Sequence, residues 1–180
     1  MKKVQYLAAR ADYVNTLAER GFILTPADPY WQENQAYQFT AQQIDALDDA
    51  ATSLHQLCLQ AIDHIIERDY FHHFGIGDAW RDLVIRSWRQ REPDLYGRFD
   101  FAYDGKHPPK LLEYNADTPT GLLEAAVLQW DWLQQRGLPD QFNFIHEQLI
   151  QRWQALKAQG LIVEPVYFTA DYASGEDTVT

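Results

Sequence analysis

The sequence predicts an α+β fold, several helices around a small antiparallel sheet, and three observations lead there. Apolar residues recur at helical spacing in five separate stretches. Two β-like runs, 96–103 and 110–117, flank the turn-forming stretch Asp104-Gly105-Lys106-His107-Pro108-Pro109. With 180 residues, 46% of them apolar and 14% aromatic, the chain is large enough for one compact core and needs no metal or disulfide to hold it.

The first 25 residues predict one short helix, 9–19, with Val14 and Leu17 inward and Gly21 ending it. A polar, aromatic loop follows through Pro26, Pro29, Tyr30 and Trp31. Thr40 with Gln43 three residues on is a capping-box pattern, and it opens the longest helix, 40–68. Ile44, Leu47, Leu54, Leu57, Ile62 and Ile65 form its apolar stripe. Cys58 lies on that stripe and reads as a small buried hydrophobe rather than a nucleophile.

Asp78 caps a further expected helix, with Trp80, Leu83, Val84 and Trp88 inward, which must stop before Pro93. After the hairpin, Thr118 as cap and Pro119 in the first turn predict a helix ending near Gly137. Trp130 and Trp132 flank Asp131 there, so at most one of them faces the core. Asp140 predicts the start of another helix running to Gly160, with Phe144, Leu149, Trp153 and Leu156 as core positions. Residues 162–168 read as a buried strand broken only by Pro165, and Ser174-Gly175-Glu176-Asp177 as a helix start. A strand followed by a helix start is the first half of a βα unit. The expected division is therefore 1–160 as one domain and 161–180 as the truncated opening of a second, α/β region.

Composition narrows the function classes. Fifteen basic against 26 acidic residues give a net charge of −11, which disfavours nucleic acid as the main partner. No apolar run approaches the ~20 residues of a membrane span. The single cysteine forms no internal disulfide, so a cytoplasmic setting is expected. The His72-His73 pair diverges in direction and has no second pair at ligand spacing, so it reads as surface. His55 and His64 read as helix scaffold.

The hairpin carries the chemistry. Arg98 and Asp100 share one face of its first strand, and Glu113 and Asn115 share one face of its second. If Tyr103 pairs with Lys110, Asp100 lies opposite Glu113 and Arg98 opposite Asn115. Two facing carboxylates repel by a few tenths to about 1 kcal/mol. Either Arg98 neutralises them as a solvated ion pair, or a divalent cation does. Mg²⁺ takes hard oxygen ligands, Asn115 adds an amide oxygen, and Arg98 offers a fork to phosphate, a layout suited to Mg-nucleotide chemistry. Spacing alone leaves both readings open.

The strings Y-G-R-F-D-F at 96–101, L-L-E-Y-N-A-D-T-P-T at 111–120 and W-Q-E-N-Q-A-Y-Q-F-T at 31–40 resemble the glutathionylspermidine synthase family. The resemblance runs over about 21–171. It implies a helix-rich pre-ATP-grasp-like domain of an ATP- and Mg²⁺-dependent carboxylate–amine ligase working through an acyl phosphate. It implies Arg98 on the ATP phosphates or the acyl phosphate as the catalytic residue, and Asp100, Glu113 and Asn115 as Mg²⁺ ligands. Thr118 and Thr120 correspond to serines that position the glutathione-like substrate in bifunctional members. Glu124, one helical turn on, is a candidate for recognising the polyamine-like amine. The family's adenine-gripping part is expected after Thr180, so this chain is expected to be an inactive N-terminal fragment. A non-catalytic metabolite- or protein-binding module is the alternative.

Overall fold

A computed structural model describes residues 1–6, 8–24 and 30–170. The chain forms two compact units, Met1–Ile44 with Leu95–Thr180, and Asp45–Asp94. The architecture is α+β, as expected.

In the first unit, strand β1 (Lys2–Gln5) pairs antiparallel with β2 (Gln35–Gln38). Neither was expected, because K-K-V-Q and Q-A-Y-Q are four residues long and carry no apolar alternation to announce a strand. Helix α1 (Tyr13–Glu19) starts four residues later than predicted. Asp12, at φ 57°, takes the left-handed conformation just before it, and the Asp12 side chain accepts from Asn15. Leu17 is buried as expected, whereas Val14 is exposed. The helix closes through Gly21, whose N–H donates to the Ala18 carbonyl, with Phe22 donating to Leu17.

Strands β3 (Arg98–Ala102) and β4 (Lys110–Asn115) form the anticipated hairpin. A π-helical turn (Glu124–Leu128) then runs into α4 (Gln129–Gln135), and α5 (Ile145–Ala158) follows. Leu17, Leu128, Trp132, Leu133 and Leu156 are the buried apolar core of this unit. Trp132 is inside and Trp130 exposed, so one of the pair faces the core.

Three expectations change in this unit. The helix predicted from Thr118 begins beyond Gly121, because Gly121 sits at φ 87°, which a right-handed helix cannot accommodate. Phe144, expected inside, is exposed at the position preceding α5. Residues 162–168, expected as a buried strand, have no ladder partner among the described residues, and Val163, Tyr167 and Phe168 are exposed. A strand takes its stability from a neighbour, and Pro165 lacks a donor for any ladder. The predicted helix start at 174–177 lies outside the described residues, as do Pro26 and Pro29.

Helix α2 (Ala41–Glu67) opens in the first unit and continues into the second. Its capping box forms as predicted: Gln43 N donates to Thr40 Oγ1 at 3.3 Å, and Thr40 N donates to Gln43 Oε1 at 3.0 Å. In the second unit a 3₁₀ turn (Phe71–Phe74) buries Phe71 and leads to α3 (Asp78–Gln90). Gly77 takes the cap position, and Asp78 falls in the first turn, where a carboxylate suits the helix dipole. Trp88 donates to Asp63 at 2.6 Å, linking α3 to α2. Trp80 and Leu83 are exposed, contrary to the inward face predicted for them. No helix among the described residues is long and apolar enough to cross a membrane.

Candidate functional site

The hairpin register places the polar residues together. Arg98 faces Asn115, Phe99 faces Tyr114, and Asp100 faces Glu113, as the sequence predicts. Beyond Asp100 the register slips: Phe101 pairs with Leu111 and Ala102, not Tyr103, with Lys110. Leu112 is the extra residue of this bulge and stands 69% exposed. The slip falls after the carboxylate pair, so it leaves the site face intact.

The opposite face is aromatic. Phe99 stacks on Tyr114 at 4.0 Å between centroids and on Phe101 at 5.8 Å. This stack fixes which side of the ladder the charged residues occupy, since alternate side chains project to opposite faces.

On the polar face, the arginine fork is held at both ends. Arg98 Nε and Nη2 donate to the two carboxylate oxygens of Asp100 at 3.0 and 3.3 Å. Arg98 Nη1 donates to the carbonyl and to the hydroxyl of Thr120, at 2.9 and 3.0 Å. The Asp100 contact, more than the nearby Glu113 charge, pushes the Arg98 pKa above its ordinary value. Asn115 donates its amide N–H to Glu113. The repulsion between Asp100 and Glu113 is thus offset by one polar partner on each carboxylate, the arrangement that the ion-pair reading anticipates.

The donor set also fits a hard cation. Among the described residues no three His, Cys, Asp or Glu side chains cluster as a self-sufficient metal cage. Two facing carboxylates with an amide oxygen beside them instead match Mg²⁺, which keeps water and phosphate among its ligands. Arg98, Asp100, Glu113, Asn115 and Thr120 are brought together; Thr118 is exposed. Pro119 between the threonines is buried, and its carbonyl accepts from the Tyr96 hydroxyl at 3.0 Å. Burial raises the Tyr96 pKa, so the phenol stays a donor. Glu124, 8% exposed in the π-helical turn, has no hydrogen-bond or ion-pair partner among the described residues. π-Helical turns concentrate at functional sites.

Sequence reasoning missed a second charged cluster. Glu33, 5% exposed, accepts from Arg10 Nε and Nη2 at 2.8 and 2.9 Å, from Trp31 Nε1 at 2.9 Å and from Arg136 Nη2 at 3.1 Å. The Arg136 guanidinium lies over both the Tyr6 and Trp132 rings, 4.7 and 4.8 Å from their centroids. Its members are too far apart in the chain for any local pattern to reveal them. The one signal was the acidic Glu33 beside Trp31 in the 31–40 string.

The fold and this face define a helix-rich α+β domain whose hairpin presents paired carboxylates beside an arginine fork. The chain belongs to the glutathionylspermidine synthase pre-ATP-grasp family, whose model matches residues 4–180. It is 47% identical over 168 residues to a Haemophilus influenzae protein whose name, acid–amine ligase, is itself provisional; the match covers 88% of this chain and 42% of that one. It is 39% identical over 88 residues to the glutathionylspermidine synthase of Crithidia fasciculata, covering 46% of this chain and 12% of that protein. The bifunctional glutathionylspermidine synthetase/amidase of Escherichia coli is 29% identical over 120 residues, covering 64% and 18%. The chain spans less than half the length of these curated relatives.

Proposed function

We propose that this chain is the N-terminal part of an ATP- and Mg²⁺-dependent ligase that joins a carboxylate to an amine through an acyl phosphate. The single observation that carries this reading is Asp100 facing Glu113 across the ladder with Arg98 and Asn115 on the same face. Family membership supports it, since the relatives include named acid–amine and glutathionylspermidine ligases.

Asp100, Glu113 and Asn115 would hold Mg²⁺, and Arg98 would hold the phosphate oxygens and the acyl phosphate. Bound there, the ion neutralises phosphate charge and draws the reacting groups together. Thr118 and Thr120 border the position of a glutathione-like carboxylate, and Glu124 supplies a carboxylate for a cationic, polyamine-like amine. The chain's own contribution is positioning and charge complementarity. Residues 161–180 are the entry to a second α/β region in this reading, the nucleotide-gripping part lies beyond them, and this chain by itself does not turn over. A cytoplasmic enzyme on small-molecule substrates follows.

The test is Mg²⁺ with tripolyphosphate titrated into the chain and followed by NMR. Asp100, Glu113, Asn115 and Arg98 signals should shift together, and Asp100→Asn or Glu113→Gln should weaken the response at least tenfold while the dispersed spectrum is kept. A response of equal strength in both variants would remove the metal assignment.

A further inference from the structure

The geometry points to Thr120 as the positioning residue for Arg98, acting through the guanidinium in addition to bordering the substrate carboxylate. This rests on the ligase reading above. Arginine has five N–H donors. Two of them, on Nη1, go to the carbonyl and hydroxyl of Thr120, and two, on Nε and Nη2, go to Asp100.

These two anchors have different fates. The Nε–Nη2 edge is the one a phosphate fork needs, and its partner Asp100 is also the proposed ion ligand. When Asp100 turns toward an ion, that anchor loosens. Thr120 is outside the ligand set, so its hold on Nη1 persists and keeps the free edge of the guanidinium aimed across the hairpin face.

The residue type suits the task. Its backbone carbonyl is available because the helix predicted from Thr118 starts only beyond Gly121, which leaves 118–121 non-helical. Threonine is β-branched and stiff at χ1, so its hydroxyl is pre-aimed at lower entropic cost than that of serine. Serine keeps the hydroxyl; valine keeps the branch, the volume and the backbone carbonyl and loses the hydroxyl, donor and acceptor alike.

The experiment compares wild type, Thr120→Ser and Thr120→Val. Its first readout is rotation of the Arg98 guanidinium about its Cζ–Nη1 bond by side-chain NMR, with the signal assigned from its loss in Arg98→Lys. Rotation should speed up about three- to tenfold in Thr120→Val and stay within about twofold of wild type in Thr120→Ser. The second readout is the Mg²⁺–tripolyphosphate titration, where Thr120→Val should weaken the Arg98 response about fivefold and Thr120→Ser should restore it. Equal rotation rates in Thr120→Val and wild type overturn the positioning role of the Thr120 side chain. Failure of wild type to respond to Mg²⁺–tripolyphosphate overturns the ligase reading instead, and the rotation rates still decide what Thr120 does. Unchanged thermal midpoints in both variants tie any rotation change to the fork.

Discussion

Gln43 joins two elements through one side-chain amide: its oxygen accepts from Thr40 to complete the α2 capping box, and its nitrogen donates to the Gly105 carbonyl at 2.8 Å. The start of α2 is thereby tied to the turn of the β3–β4 hairpin. The carbonyl belongs to a glycine at φ 80°, and a Cβ built there would meet the Met1 nitrogen at 2.4 Å, so the turn has no room for another residue.

The two halves of that amide separate by mutation. Gln43→Glu keeps the capping oxygen and loses the donor to Gly105, so it should cost about 1 kcal/mol. Gln43→Ala loses both and should cost about 2 kcal/mol, combining a cap with a tertiary bond. Urea unfolding of the two variants measures the difference. Equal losses would show that the Gly105 bond adds nothing.

Gly97, just before Arg98, is fixed by a close approach. A Cβ there would lie 2.8 Å from Tyr114 Cε2 and 3.2 Å from the Asn115 carbonyl. The Tyr114 ring cannot swing away freely because it stacks on Phe99 at 4.0 Å. Gly97→Ala should therefore cost about 1–3 kcal/mol by overpacking and disturb the aromatic near-UV circular dichroism. It should also weaken the Mg²⁺–tripolyphosphate response, since Asn115 moves with its backbone.

The parts of the site that were legible in sequence share one property: a two-residue period with polar and aromatic residues on opposite faces. That period puts Asp100 opposite Glu113 when Tyr103 is taken as the partner of Lys110. Counting from the turn also assumed an unbroken ladder, and the Leu112 bulge breaks it. The two site pairs hold because the bulge offsets a one-residue difference at the turn, where Ala102 rather than Tyr103 meets Lys110. Helix α2 was readable because Thr40 and Gln43 sit at capping-box spacing. The start after Thr118 is not legible because Gly121, at φ 87°, blocks a helix begun before it, and this leaves the Thr120 carbonyl and hydroxyl to Arg98. Val14, Trp80 and Phe144 have the periodicity of core residues, yet they are exposed, because periodicity names a face without naming what covers it.

The hairpin turn also carries a local pH response. Asp104 accepts the backbone N–H groups of His107 and Lys106 at 2.8 and 2.9 Å and pairs with the His107 ring at 2.6 Å. The His107 backbone bond leads in holding the Asp104 pKa well below its usual 3.8, and the Asp104 hydrogen bond raises His107 above its usual 6.5. The histidine's contribution is complete below pH 6.5 and disappears as pH climbs through its folded value. The aspartate's is complete above pH 3.8 and disappears as pH drops through its folded value. Both groups are exposed, so the effect is on the turn. An NMR titration of His107 should show its midpoint fall in Asp104→Asn; an unmoved midpoint would refute the pairing.

Glu33 is where charge matters most for stability, because it and Arg10 are nearly buried, with side chains 4% and 6% exposed. Burial alone would raise the Glu33 pKa, but hydrogen bonds from Arg10 and Trp31 outweigh it and hold the carboxyl below its usual 4.5. Its contribution is thus present above pH 4.5 and is lost as pH falls through the lowered folded value. Glu33→Ala strands Arg10 and Arg136 together and should cost about 3–5 kcal/mol in urea unfolding near neutral pH. Glu33→Gln keeps the shape, should cost less, and should flatten the acid limb of the stability curve. The two tryptophan indoles separate charge from scaffold. Trp31 Nε1 donates to the Glu33 carboxylate, whereas Trp132 Nε1 donates to the Glu33 backbone carbonyl at 3.0 Å. In Glu33→Gln the Trp31 indole signal should move and the Trp132 signal should stay. Movement of both would mean that the carboxylate charge holds α4 against the turn at 31–34, rather than the backbone bond and the stacking of Arg136 on Trp132.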